Sequence, residues 1–208
     1  MRSSGRKRSN AIRSVKGKQA TARRRPTSNL PWKLVSTSHR HTDRLGQAIG
    51  RVLCGGETIA LYGPLGAGKT ALVRGIAQGL GTPPRAVTSP TFVVIHEYNQ
   101  GRLPLTHVDL YRIRTHHELE STGLIEHFAG KTVTAIEWAD KGFVALPQDR
   151  IEITLNHRAI RSRTIQLRAT GPKSEKVLVR LRGKYYKTDR VGGMSSRPVS
   201  NREATVRS

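Results

Sequence analysis

The residues of this chain best suited to chemistry are Gly63-Pro64-Leu65-Gly66-Ala67-Gly68-Lys69-Thr70. They fit G-x-x-x-x-G-K-[ST], the pattern of a phosphate-cradling P-loop. The residue types explain the pattern. Gly63, Gly66 and Gly68 allow backbone conformations closed to other residues, so that the N–H groups of Ala67, Gly68, Lys69, Thr70 and Ala71 can converge on phosphate oxygens. Lys69 supplies a mobile charge for the β- and γ-phosphates, and the Thr70 hydroxyl is a ligand for Mg²⁺. A glycine-rich turn without a ligand would satisfy the same pattern, so the flanks must decide. Thr58-Ile59-Ala60-Leu61-Tyr62 reads as a buried strand before the loop. Leu72, Val73, Ile76 and Leu80 recur at helical spacing after it and stop at Gly81. Strand, loop and helix together put the positive end of a helix dipole at the phosphates.

A phosphate site needs carboxylates to hold the metal and orient the attacking group. Asp109 and Glu137 both fall at the ends of strand-like runs, where such a sheet presents its catalytic edge. Glu137 follows Val133-Thr134-Ala135-Ile136, whereas the run before Asp109 is interrupted by Pro104, Thr106 and His107. A strand-end carboxylate engaged in an ordinary ion pair is the plainer reading of either acid alone.

The elements that must position these groups are readable along the chain. Thr42 is placed to cap a helix with Leu45, Ile49, Val52 and Leu53 on its apolar face, ending at Gly55-Gly56. Phe92-Val93-Val94-Ile95 reads as a strand, Asn99-Gln100-Gly101 as a hairpin turn, and residues 103–110 as the return strand. Residues 118–128 read as two short helical pieces broken at Gly123, and residues 132–136 as a buried strand. Residues 150–155 and 164–167 alternate as a second hairpin around a basic turn at 156–163, and Val177, Leu178 and Leu181 mark a last short helix. Strands that follow one another directly exclude a purely βαβ sheet. The fold expected is α/β: a P-loop NTPase-like three-layer arrangement with a mixed sheet, its parallel core extended by antiparallel hairpins.

The chain has 208 residues and a formal net charge of +23. Residues 1–33 hold eleven Lys and Arg and no acid. Such a segment cannot bury enough apolar surface to order itself, so residues 1–33 are expected to be a disordered basic tail, and residues 184–208 a second one, around a folded domain at 34–183. The first tail suits nonspecific RNA contact through phosphates, with an organellar transit peptide and a merely solvated tail as alternatives. No run approaches the ~18 apolar residues of a membrane span and no signal-peptide core is present, so a soluble, non-secreted protein is expected. The single Cys54 excludes an internal disulfide and is expected to be a small buried hydrophobe. His39-x-His41 and His116-His117 read as solvated loop or helix-start residues.

Four motifs in order resemble one family. The P-loop is followed by Thr88-Ser89-Pro90-Thr91-Phe92, then His107-Val108-Asp109-Leu110-Tyr111-Arg112, then Ile136-Glu137-Trp138. Gly123-Leu124 with Glu126 and the late Ala169-Thr170-Gly171-Pro172 agree. This pattern is similar to the TsaE (YjeE) family, the bacterial ATPases needed to make N6-threonylcarbamoyladenosine at position 37 of tRNAs, over residues 34–183. The resemblance implies that Gly63, Gly66, Ala67, Gly68, Lys69, Thr70 and Ala71 bind ATP and that Trp138 lines the nucleotide end of the pocket, though core packing would explain Trp138 equally well. It implies that Thr70, Asp109, Glu137 and Thr91 attend Mg²⁺, with Ser89-Pro90-Thr91 as a switch-like loop, Asp109 as the Walker B-like acid, and Lys69, Asp109 and Glu137 as the catalytic set. It further implies a cytoplasmic protein, weak hydrolysis in isolation, docking on a TsaD–TsaB pair, tRNA reached indirectly through that complex, and no membrane partner. The chain departs from the family where Ala139-Asp140, rather than Pro, follows Glu137-Trp138. A small-molecule or nucleotide kinase, with Arg112 and Arg114 as candidate phosphate contacts, and a nucleotide-gated RNA-binding protein using Arg158, Arg161 and Arg163 are the competing readings.

Overall fold

The computed structural model describes residues 31–87 and 94–191. Residues 1–30 of the tail expected at 1–33, residues 192–208 of that expected at 184–208, the Ser89-Pro90-Thr91 loop and Phe92-Val93 of the expected strand lie outside the described residues.

Four strands form the parallel heart of the sheet. β2 (Thr58–Tyr62) precedes the P-loop and is flanked by β5 (Val133–Glu137) and β6 (Ile151–Ala159), and β4 (Leu105–Asp109) lies beyond β5. Antiparallel partners extend both edges. β3 (Ile95–Tyr98) pairs with β4, while β7 (Ser162–Ala169) pairs with β6 and with β1 (Trp32–Ser36). The resulting seven-stranded order is β1-β7-β6-β2-β5-β4-β3. The expected mixed sheet is present, with a hairpin at each edge.

Strand alternation assigns side chains to two layers. Ile59 and Leu61 of β2 join a core built with α1 (His39–Val52), α2 (Lys69–Gly79) and α4 (Pro172–Val191), while Ala60 faces a smaller core beneath α3 (His116–Ser121) and a short 3-10 turn (Leu124–Phe128). The break expected at Gly123 is real, and Gly123 takes a left-handed conformation there. Val133, Ala135 and Glu137 alternate onto the α2 face, and Leu105, His107 and Asp109 occupy the same face of the neighbouring strand.

Several boundaries differ from the sequence expectation, each for a tertiary reason. The α1 cap is Ser38, whose hydroxyl accepts the His41 N–H at 3.1 Å; Thr42 instead bonds Ser36 Oγ at 2.8 Å. β1 begins at Trp32 rather than near Leu34, because its backbone is held along β7 from Trp32 to Ser36. α4 continues past Lys184 to Val191, with Tyr185 anchored edge-on against Trp32 and its hydroxyl bonded to His41 at 2.8 Å. His41 is accordingly buried rather than solvated. Cys54 is exposed, not a core residue: the chain leaves α1 after Val52, and the N–H groups of Cys54 and Gly55 turn to the buried Glu57 carboxylate at 2.9 and 2.7 Å. The basic turn is also shorter than expected, because β6 and β7 run on to Ala159 and resume at Ser162.

The orientation of α2 is set by its contact with α1. Gly46 and Gly50 on α1 meet Gly75 and Gly79 on α2 so closely that a Cβ on Gly46 would lie 2.4 Å from the Leu72 carbonyl oxygen, and one on Gly75 2.3 Å from that of Asp43. The close backbones leave no room for a methyl group. Gly46→Ala and Gly75→Ala should therefore each destabilise the fold by about 1–3 kcal/mol, overpacking outweighing the gain in helix propensity. Gly183→Ala on α4, where no atom lies within 4 Å of the new methyl, should leave stability unchanged or raise it by up to ~1 kcal/mol. Denaturant unfolding of the three variants checks both directions; equal effects at all three positions would contradict the packing argument.

Candidate functional site

The P-loop is a rigid backbone turn. Gly63, Gly66 and Gly68 have φ of 132°, 74° and 103°, all in the region that excludes most side chains. Gly63 is constrained twice, since a Cβ there would lie 2.1 Å from the Leu155 carbonyl oxygen of β6. The loop ends on the first residues of α2, so the unpaired N–H groups and positive dipole end of that helix face the same place.

Lys69 is buried and folds back over its own loop. Its ammonium donates to the carbonyls of Gly63 at 2.7 Å and Pro64 at 3.0 Å, and lies 3.7 Å from the Trp138 ring centroid. Burial pushes its pKa down from the ordinary lysine value near 10.5, and the negative charges of Glu137, Asp109 and Asp140 only partly offset this. Trp138 is half-buried and has φ of 56°, the one described non-glycine residue with positive φ. Its ring also packs against Tyr111 at 5.0 Å, and the Lys141 ammonium lies 5.3 Å from the Tyr111 ring centroid. Trp138 is thus a packing residue that also faces the P-loop lysine.

The two acids meet as neighbours. Asp109 and Glu137 are direct partners in the β4–β5 register. Glu137 Oε2 accepts the Thr70 hydroxyl at 3.0 Å, which ties the end of β5 to the first turn of α2. Its other oxygen accepts the Nε2–H of His107 at 2.9 Å. His107 is fully buried and its Nδ1 has no hydrogen-bond partner. The Glu137 carboxylate can only accept, so Nε2 carries the proton of this hydrogen bond. His107 is the site residue that the strand reading of its run passed over. Its signal was present: it lies two residues before Asp109 and so on the same strand face. Asp109 accepts the Tyr111 N–H at 2.9 Å, yet its pKa is raised, chiefly by desolvation and further by Glu137.

These residues fit a nucleotide with magnesium. The donor set of Thr70, Asp109 and Glu137 is all hard oxygen, which suits Mg²⁺. No group of three or more His, Cys, Asp or Glu among the described residues is arranged to hold a metal alone. That agrees with Mg²⁺ chemistry, in which one or two carboxylates and the phosphates themselves complete the shell. Of the expected site residues, the structure brings together the P-loop, Lys69, Thr70, Asp109, Glu137 and Trp138; Thr91 lies outside the described residues. Arg112 and Arg114 are exposed, and of the three arginines of the expected basic turn Arg158 and Arg161 are exposed. Arg163 is buried because it points into the α2 face of β7 alongside Ile165 and Leu167.

Comparisons with known proteins bear on the family and the fold. The family model described as threonylcarbamoyl adenosine biosynthesis protein TsaE matches residues 36–165. A tRNA threonylcarbamoyladenosine biosynthesis protein TsaE from Bacillus subtilis is 39% identical over 146 residues, covering 70% of this chain and 89% of the relative. One from Treponema pallidum is 39% identical over 131 residues, covering 63% and 96%. The crystal structure of Bacillus subtilis YdiB matches with a TM-score of 0.64 at 32% identity, covering 75% of this chain and 97% of that one.

The lowered pKa of Lys69 has a measurable consequence. The protonated amine is the form that attracts phosphate, so affinity for ADP should be full below its free-protein pKa and fall as pH rises through it, earlier than an ordinary lysine would allow. Calorimetric titration of ADP across the alkaline range checks this; Lys69→Met should bind weakly and lose the dependence, and a wild-type profile flat to the ordinary lysine range would contradict it.

Proposed function

The chain belongs to the TsaE family of threonylcarbamoyl adenosine biosynthesis proteins, and from that premise we propose that it binds ATP with Mg²⁺ and hydrolyses it in support of tRNA N6-threonylcarbamoyladenosine formation. The observation that carries the reading is the Thr70–Glu137–His107 chain at a complete P-loop, with hydrogen bonds of 3.0 and 2.9 Å and Asp109 in register beside it. A structural ion pair would not require the P-loop hydroxyl to end on a buried carboxylate at the mouth of the helix.

The roles follow from position. The loop N–H groups from Ala67 to Ala71 and the Lys69 ammonium bind the phosphates; the glycine backbone shapes the loop, while the Ala67 N–H exchanges the Pro64 carbonyl, and the ammonium the Gly63 and Pro64 carbonyls, for phosphate oxygens. Magnesium, when bound, neutralises charge developing on the transferred phosphoryl group. Thr70 offers it a hydroxyl, and Asp109 and Glu137 offer carboxylates. Glu137, oriented by His107, is the residue placed to align a water for in-line attack. The Trp138 ring faces the Lys69 ammonium at 3.7 Å and helps to hold it at the loop. Thr91 completes the metal set in this proposal.

The site supplies no described arginine beside the carboxylates, so hydrolysis in isolation should be slow. In this reading the chain docks on TsaD-like and TsaB-like proteins, whose contacts complete the site, and its ATP cycle resets that complex. It meets tRNA only through the complex, with nonspecific RNA contact by the basic termini. No described helix is long and apolar enough to cross a membrane, and a cytoplasmic location is part of the proposal.

The test is ATP hydrolysis with Mg²⁺, with and without a TsaD–TsaB pair. The pair should stimulate wild type strongly, and Glu137→Ala should lose that stimulated rate by about a hundredfold or more while still binding ADP. Hydrolysis indifferent to both the pair and the substitution would sink the mechanism. Phosphate recovered on a small acceptor would turn the reading to a kinase.

A further inference from the structure

Arg163 occupies a position where its strand wants a hydrocarbon. The inward residues of β7 are Arg163, Ile165 and Leu167, with exposures of 3%, 0% and 0%. Yet Nε and Nη1 of Arg163 are buried without a hydrogen-bond partner, and no ion pair reaches it among the described residues. A buried guanidinium with two of its three nitrogens left without a partner is costly for a fold to hold.

Its surroundings increase that cost. A Cβ built on Gly68 would lie 3.5 Å from Arg163 Nε and 3.9 Å from Cζ, so the guanidinium packs against the P-loop residue that caps α2. The positive end of the helix dipole and the ammonium of Lys69 belong to the same turn. The hairpin that carries Arg163 is pinned to the loop: His157, its partner in the β6–β7 register, reaches the Leu65 carbonyl at 3.2 Å through Nε2. The positive potential of Arg163 and the helix dipole is therefore concentrated on the β6–β7 side of the turn, away from Glu137 and Asp109 on the β5–β4 side.

Sheet order gives the direction of the site. The P-loop leaves β2; Thr70, Glu137 and Asp109 gather toward β5 and β4, whereas Arg163 and His157 stand on β7 and β6, on the opposite side. If the metal and the terminal phosphate belong with the carboxylates, the nucleoside-proximal phosphate belongs with Arg163. We propose that Arg163 is a nucleotide-binding residue that takes the α-phosphate of ADP or ATP at the β6–β7 side of the P-loop. This inference rests on the nucleotide reading of the site given above. A bidentate guanidinium suits a phosphate there, and the anion it awaits explains why a charge is kept in an otherwise apolar row.

The experiment is titration of ADP and of ATP, each with Mg²⁺, into wild type, Arg163→Gln and Arg163→Lys, with melting curves of the free and ADP-loaded proteins. Arg163→Gln should weaken ADP and ATP by the same factor, about ten- to hundredfold, as expected for losing a charge-assisted contact. Its free-protein melting temperature should stay level or rise, since an unpaired buried charge is removed, while the ADP-induced increase shrinks. Arg163→Lys keeps the charge without the fork and should fall between the two; it also serves if the Gln variant does not fold. Unchanged ADP affinity in either variant overturns the inference, and so does a loss confined to ATP, which would put Arg163 at the γ-phosphate. Wild type that binds neither nucleotide removes the nucleotide reading and this inference together; wild type that binds while Arg163→Gln binds equally removes this inference alone.

Discussion

Charge balance at the start of α2 is the constraint on which the rest of the molecule depends. The turn that begins the helix holds the helix dipole, Lys69 and the neighbouring Arg163 on one side, and Glu137 with Asp109 on the other. Lys69 satisfies itself on the Gly63 and Pro64 carbonyls and the Trp138 face, and Glu137 is held by Thr70 and His107. These contacts let the charges coexist in a largely buried place. They leave a net positive cradle on the phosphate side and a carboxylate edge on the metal side, which is the polarity a magnesium nucleotide requires.

Such a balance works only if the backbone cannot drift, and the fold supplies two clamps. On the helix side, the glycine crossing of α1 and α2 brings the backbones within reach of one another and fixes the axis along which the dipole points. On the sheet side, Gly63 lies against the Leu155 carbonyl and His157 holds the loop tip, so β6 sets the loop's height above the sheet. A parallel core is needed for this, because β2, β5 and β4 must all end at the same edge for Thr70, Glu137 and Asp109 to meet. The antiparallel hairpins then serve different ends of the site. One edge carries Asp109 on β4, and the other carries Arg163 on β7.

What the sequence made legible was what local pattern encodes. The β2 strand at 58–62, the loop glycines and the amphipathic start of α2 are each specified by neighbours within a few residues, and Glu137 follows a run of buried-strand residues. The four linked motifs then pointed to the family. What was not legible depends on partners distant in the chain. Ser38 caps α1 because the chain turns after β1, and His41 is buried because Tyr185, 144 positions later, returns to it. The extension of α4 to Val191 has the same origin in Trp32. Arg163 was read as one cation of a basic turn, since a charged residue in a short charged run has no local mark of burial; only the β7 register turns it inward. Cys54 misled in the reverse direction, as an apolar helix face does not reveal where the helix stops.

The paired carboxylates explain why the site should respond to its ligand rather than merely accept it. Asp109 is desolvated and faces Glu137, so its pKa is raised; a group whose folded pKa lies above its unfolded value costs stability once pH exceeds both. That cost is present at neutral pH and is relieved by a proton or by a cation held between the acids. Lys69 carries the mirror cost, its charge being disfavoured by burial until a phosphate approaches. Each half of the site is thus held away from its most stable electrostatic state by the fold, and the charges that carry the two costs have opposite signs. A divalent cation relieves only the carboxylates and a bare phosphate only the cations, whereas the two together relieve both. On the proposed nucleotide reading, coupled binding of metal and nucleotide follows from the placement of charge on β4, β5 and α2.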